Sequence, residues 1–175
     1  MKTKKILLPL ATLVAAGAIA VGSGATFTST SANTISSVTS GTLSQSNSKA
    51  NAAVFNLTNI KPGDVVNGSL TIKNTGSLPA TFALTETSST NGFTAANLSM
   101  TITNTTTNKV VYTGTFGGLV DGAKNDLGSV APGVANDYVF SVKLDQATPN
   151  SDQGKTASAA FQWDSVQADA ATTNQ

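Results

Sequence analysis

The stretch Asn56–Phe82, NLTNIKPGDVVNGSLTIKNTGSLPATF, decides the fold. It begins with a turn, Lys61-Pro62-Gly63-Asp64. Proline presets φ at the second turn position, and glycine accepts the positive φ that follows. Val66, Leu70 and Ile72 then fall at even spacing, with Gly68 between them. Leu70 and Ile72 share one face of a strand, while Ser69 and Thr71 face the other way. A second, polar turn, Lys73-Asn74-Thr75-Gly76-Ser77, leads into a further apolar run. None of this has the spacing of a catalytic motif. It has the spacing of a β-sandwich.

The same alternation extends outward. Ala53, Phe55 and Leu57 predict a strand before the turn. Ala80 to Thr87 predicts the next one, with Phe82 and Leu84 on one face and a loop at Ser88–Gly92. Leu98, Met100 and Ile102 mark a half-buried strand, and Asn104–Asn108 is the turn of a hairpin into Lys109–Thr115. A glycine-rich loop, Gly117 to Asn125, leads to Leu127. Tyr138, Phe140, Val142 and Leu144 form another alternating run. After a long turn at Gln146–Gly154, Ala157, Ala159, Phe161 and Trp163 make the last. Seven or more short strands separated by turn signals predict one all-β, antiparallel sandwich over residues 50–167, with a polar tail at 168–175. A domain of that size buries about two thirds of its unfolded surface, so it needs no covalent staples.

An internal echo is present. Leu57-x-x-Ile60-x-Pro62-Gly63 returns as Leu127-x-x-Val130-x-Pro132-Gly133, and Leu70, Ile72 and Lys73 return as Phe140, Val142 and Lys143. Two copies at an offset of 70 are no solenoid. Either one turn-and-strand unit occupies two equivalent positions of the sandwich, or two segments converge on one good turn.

Composition narrows the chemistry. Only 11% of the 175 residues are charged, and there is no His and no Cys. That excludes disulfides, thiol nucleophiles, the usual zinc sites and a Ser-His-Asp triad. Gly154-Lys155-Thr156 invites a P-loop reading, but Pro149 stands where the first glycine belongs and a strand pattern follows instead of a helix. It reads as a turn. Asp121, Asn125 and Asp126 share one loop, and Asp145 and Asp152 flank another, without the oxygen density of a calcium loop. No catalytic, cofactor-binding or metal site is assigned from these patterns.

The N-terminus reads as a signal peptide over residues 1–25. Lys2, Lys4 and Lys5 precede an apolar run from Ile6 to Val21, and Ser23-Gly24-Ala25 fits the small-x-small rule for cleavage between Ala25 and Thr26. A cut after Ala32 is the alternative. The run falls short of the roughly 20 residues of a spanning helix, so membrane contact is expected only through the uncleaved leader. Removing three lysines changes the charge from 10 − 9 = +1 to 7 − 9 = −2, which offers nothing to nucleic acid. The following segment, residues 26–49, is polar with isolated strand formers: Phe27, Ile35, Val38 and Leu43. It is either a strand that pairs with something or a loose arm.

These features occur in a particular order. A lysine-rich leader ends in Val21-Gly22-Ser23-Gly24-Ala25-Thr26-Phe27, and Ser40-Gly41-Thr42-Leu43 follows. Next come Asn56-Leu57-x-Asn59-Ile60-Lys61-Pro62-Gly63-Asp64 and Lys73-Asn74-Thr75-Gly76-Ser77-Leu78. Asn150-x-x-Gln153-Gly154 and Phe161-x-Trp163 close the series. In that order the chain resembles, over nearly its whole length, the TasA/camelysin (CalY) family of secreted bacterial biofilm-matrix proteins. The resemblance implies a jelly-roll-like sandwich, processing by a SipW-type signal peptidase, and a place in the extracellular matrix or on the cell surface. It also implies head-to-tail homopolymers in which the N-terminal segment of one subunit completes a sheet of the next. Phe27, Ile35, Val38 and Leu43 are then the donor-strand candidates, and other matrix proteins are further partners. Some relatives are described as metallopeptidases; without histidine this chain has no H-E-x-x-H and no imidazole ligand set. The expectation is a non-enzymatic, cofactor-free fibre subunit. The alternatives are a monomeric adhesion or ligand-binding module acting through loops such as Gly117–Asn125, and a camelysin-like peptidase.

Overall fold

A computed structural model describes residues 40–55 and 59–168. Among these residues eight strands follow in order: β1 (Gln45–Asn47), β2 (Val65–Asn74), β3 (Ala80–Asn91), β4 (Leu98–Asn104), β5 (Lys109–Thr115), β6 (Lys124–Val130), β7 (Ala135–Leu144) and β8 (Ala157–Gln167). Two short 3-10 turns, Ala95–Asn97 and Asn150–Asp152, interrupt them. All pairings are antiparallel. One sheet has the order β1-β2-β7-β4-β5 and the other β6-β3-β8. The all-β sandwich expected from the alternation is therefore the observed architecture.

The Pro-Gly turns act as a pair. In Lys61–Asp64 the Asp64 N–H donates to the Lys61 carbonyl at 3.0 Å, and Gly63 has φ +92°. In Ala131–Val134 the Val134 N–H donates to the Ala131 carbonyl at 3.2 Å, and Gly133 has φ +76°. Each turn launches a strand, β2 or β7, and these two strands lie side by side from Val65↔Lys143 to Lys73↔Ala135. Gly63 N–H bonds to the Leu144 carbonyl at the far end of β7, and Gly133 N–H bonds to the Asn74 carbonyl at the far end of β2, both at 2.9 Å. The echo in the sequence is thus one device in two equivalent places, related by a local twofold.

This register points Leu70 and Ile72 of β2 and Tyr138, Phe140, Val142 and Leu144 of β7 into the core. Ala80, Phe82 and Leu84 of β3 and Leu98, Met100 and Ile102 of β4 join them. Tyr138 lies 4.8 Å from Trp163 between ring centroids, and Phe140 lies 5.1 Å from Phe161, so aromatic pairs tie β8 to the opposite sheet. Asn74, fully buried, closes one end. Its Nδ2 donates to the Leu78 and Val130 carbonyls at 2.8 and 2.9 Å, and its Oδ1 accepts from Gly76 N–H at 3.0 Å.

Three expectations need correction. Ala53 and Phe55 are not in a strand, and Leu57 lies outside the described residues. The Val54–Phe55 backbone instead crosses β2 at Gly68, where any side chain would strike it, and Phe55 lays its ring against Phe116 and Phe140. The loop expected at Ser88–Gly92 is strand as far as Asn91, because it finds partners in Ala157–Ala160 of β8, including a 2.8 Å Thr90–Ser158 hydroxyl pair. The last strand runs on past Trp163 to Gln167.

Gly133 has nothing within 4 Å of where a Cβ would sit, so replacing it probes backbone strain alone. Gly133→Ala is expected to lower stability in urea by about 1–2 kcal/mol, and Gly133→Asn by less, because Asn tolerates the left-handed region. Equal losses for the two would show that strain is not the cause.

Candidate functional site

Two surface features stand out. The first is the flank where β1, at the edge of the five-stranded sheet, faces β8, at the edge of the three-stranded sheet. A groove of about 340 Å³ lies there, with Val54, Phe55, Leu70, Phe161 and Trp163 among its lining residues. β8 is eleven residues long and pairs only with β3 among the described residues. Edge strands are usually guarded by lysine, proline or a short length. β8 has no lysine or proline, and its one charge is Asp164. The Gln45 side chain reaches across from β1 and donates to the Trp163 carbonyl at 2.7 Å, a bond that a strand laid beside β8 would otherwise supply. Its own Oε1 is buried with no partner among the described residues.

The second feature is a cleft of about 750 Å³ at the end of the sandwich. Two stretches that carried the family likeness meet there: Asn59–Pro62 from one side and Asn150–Thr156 from the other, with Phe93 and Leu144 between. Asp152 holds the second stretch in place. It accepts from Asn97 Nδ2 at 2.7 Å, from Thr94 N–H at 3.2 Å and from the Thr94 hydroxyl at 3.1 Å. The Asn97 bond leads in pulling its carboxyl below the ordinary carboxylate value, against a smaller upward push from burial. Gly154-Lys155-Thr156 lines the same cleft and leads straight into β8, as a turn.

The other residues read from the sequence fall as follows. Pro62 and Gly63 sit at one end of the β2–β7 ladder, and Pro132 and Gly133 at the other. Leu43 is about half exposed, and its neighbours bond to the turn of their own chain: Ser77 N–H to the Thr42 carbonyl at 3.0 Å, and Thr75 and Gly76 N–H to the Ser44 carbonyl at 3.0 and 3.1 Å. Ala25, Thr26, Phe27, Ile35 and Val38 lie outside the described residues, as does the expected leader. The Gly117–Asn125 loop packs over the end of β3, with Phe116 buried beneath it and Val120 exposed. The β8 edge escaped sequence reading. Its signal was available in the absence of any gatekeeping charge between Ala157 and Trp163.

A family model described as camelysin metallo-endopeptidase matches residues 2–92, just over half of the chain. The chain belongs to the camelysin family. The match takes in most of the expected leader, β1, β2 and β3, and ends before the Asn150 and Phe161 motifs, so the likeness seen over nearly the whole chain is matched in its first half. No individual curated protein matches the chain. The residues do not fit the catalytic metal that the family description implies. The camelysin chain here has no His or Cys, and no group of three metal-ligating side chains occurs among the described residues. A catalytic zinc takes three protein ligands, of which imidazole is the usual majority.

A lowered carboxyl pKa means that Asp152 stabilises the fold above the ordinary carboxylate pKa and stops doing so as pH falls through its depressed value. Asp152→Asn is therefore expected to weaken the protein at neutral pH and to flatten the acid limb of its stability curve below about pH 4. Acid titration followed by tryptophan fluorescence checks this; an unchanged acid limb would contradict it.

Proposed function

We propose that this camelysin-family chain is a structural subunit of the bacterial cell surface or biofilm matrix that polymerises by donor-strand exchange. The observation that carries the reading is the long, unguarded β8 edge with an apolar groove beside it. An open edge offers unpaired N–H and C=O groups, and an added strand satisfies them while its alternate side chains fill the groove. The donor is the N-terminal arm, whose strand formers are Phe27, Ile35 and Val38. Thr42–Ser44 is already bonded within its own chain, so the exchanged part ends before it. Such a head-to-tail contact does not close on itself and propagates as a filament. Family membership supports an extracellular or surface location; processing by a SipW-type signal peptidase and contact with other matrix proteins are part of the same proposal. The 750 Å³ cleft, with Lys61 and Lys155 at its walls, favours a second reading as a surface module that binds an anionic or glycan ligand.

Deleting residues 26–40 from the processed protein tests the first reading. Fibres in electron micrographs are expected to disappear, while the thermal unfolding of the subunit stays within about 0.5 kcal/mol of the parent. Fibres of undiminished yield would overturn donor-strand exchange. A saturable ligand for the non-polymerising protein would favour the second reading.

A further inference from the structure

Glu86 is the only glutamate of the chain. It continues the inward column Ala80, Phe82, Leu84 of β3 and is fully buried. It lies under the crossover that carries the chain from β5 to β6, residues 116–123. Neither of its carboxylate oxygens has a hydrogen-bond partner among the described residues. The Ser89 hydroxyl, donated instead to the Gly117 carbonyl, and the Leu119 N–H fall short of hydrogen-bond geometry to the carboxylate but lie near enough to favour the charged form. Burial outweighs them and pushes the carboxyl up, and the like charge of Asp121 on the crossover pushes it further. The crossover is held in place over this group. Gly122 N–H donates to the Glu86 backbone carbonyl at 2.8 Å, Asn91 Nδ2 to the Phe116 carbonyl at 3.0 Å, and the Ser89 hydroxyl to the Gly117 carbonyl at 3.3 Å. From the facing sheet, the Tyr112 hydroxyl donates to the Thr115 carbonyl at 2.7 Å, close enough to feel the charge of Glu86.

A buried carboxylate without partners, beside a second carboxylate, is a costly arrangement unless a cation neutralises it or a proton does. We propose that Glu86 and Asp121, with oxygens of the 116–123 crossover, form a binding site for a calcium ion. The neighbouring groups are oxygens, the ligands that a hard cation takes: two carboxylates, the Ser89 hydroxyl and backbone carbonyls of an irregular loop. There is no imidazole or thiolate to select zinc. Calcium tolerates irregular coordination, whereas magnesium demands a near-ideal octahedron. The ion pins the crossover between the two sheets and closes that end of the sandwich. A site with only two carboxylates, one on a strand and one on an exposed loop, belongs with the weak extracellular calcium modules, with Kd of about 10⁻⁴–10⁻³ M.

The test is thermal unfolding of the processed protein with and without Ca²⁺, paired with Tb³⁺ luminescence. Ca²⁺ at about 100 times its Kd is expected to raise the Tm of the parent by roughly 5–10 °C, and Mg²⁺ by much less. Glu86→Gln, neutral and of the same shape, is expected to abolish the Ca²⁺ shift and the Ca²⁺-displaceable Tb³⁺ emission. Asp121→Asn, an exposed change that leaves the fold intact, is expected to weaken both by about tenfold or more in concentration. If Glu86→Gln does not fold, Asp121→Asn alone decides. No Ca²⁺ shift in the parent, or an equal shift in either variant, would overturn the site and leave Glu86 as a buried neutral acid.

Discussion

Everything in this sandwich depends on the pairing of β2 with β7. The ladder is fixed at both ends by the same bond: a Pro-Gly turn at the start of one strand donates a glycine N–H to the last carbonyl of the other. A slip of one residue would turn every side chain over to the opposite face. With the ladder fixed, six large apolar side chains point inward, and two of them, Tyr138 and Phe140, meet Trp163 and Phe161 across the core. The aromatic pairs then fix β8, and β8 is the strand whose open edge carries the proposed function. A repeated turn in the sequence is in this way connected, through register and packing, to the surface where copies are proposed to join.

The same constraint separates stability from function. The core is contributed by β2, β3, β4, β6, β7 and β8 with Phe116 of the crossover, and stands without disulfides. The features that suggest function lie around it: an apolar groove on the flank bridged by one glutamine, a cleft pinned by Asp152, and a crossover closing over Glu86. Each places a polar group in a buried or half-buried position, where it stabilises the fold only if its partners are present. Gln45 Oε1 and both oxygens of Glu86 lack partners among the described residues, and Thr85 Oγ1 does too. Such unmet groups are where a further strand or an ion has most to gain.

Much of the fold was legible in the residues. The even spacing of Leu70 and Ile72, of Leu98, Met100 and Ile102, and of Tyr138 to Leu144 gave strand and inward face together. Pro62-Gly63 and Pro132-Gly133 gave turns with a mechanism. What escaped reading depends on long-range contact. Ser88–Asn91 has the composition of a loop and becomes strand only because Ala157–Ala160 lies beside it. Ala53–Phe55 alternates like a strand, yet Gly68 lets it cross β2 and turn Phe55 inward. Glu86 follows Phe82 and Leu84 at even spacing, a local signal for an inward carboxylate, but its lack of partners is visible only once the crossover is in place. Family likeness was readable from the Asn-Leu-x-Asn-Ile-Lys-Pro-Gly-Asp segment, whose described residues, Asn59 to Asp64, build a turn and one wall of a cleft.

The absence of cysteine makes a direct test of the assembly possible, because introduced thiols have only each other to pair with. Processed protein carrying Val38→Cys is mixed with processed protein carrying Ala160→Cys, on the β8 flank, and oxidised during assembly. The account predicts a covalent dimer between the two variants, and a ladder of covalent polymers when both changes are placed in one chain. No disulfide between the two variants, or a double variant that closes only on itself as a monomer, would contradict it.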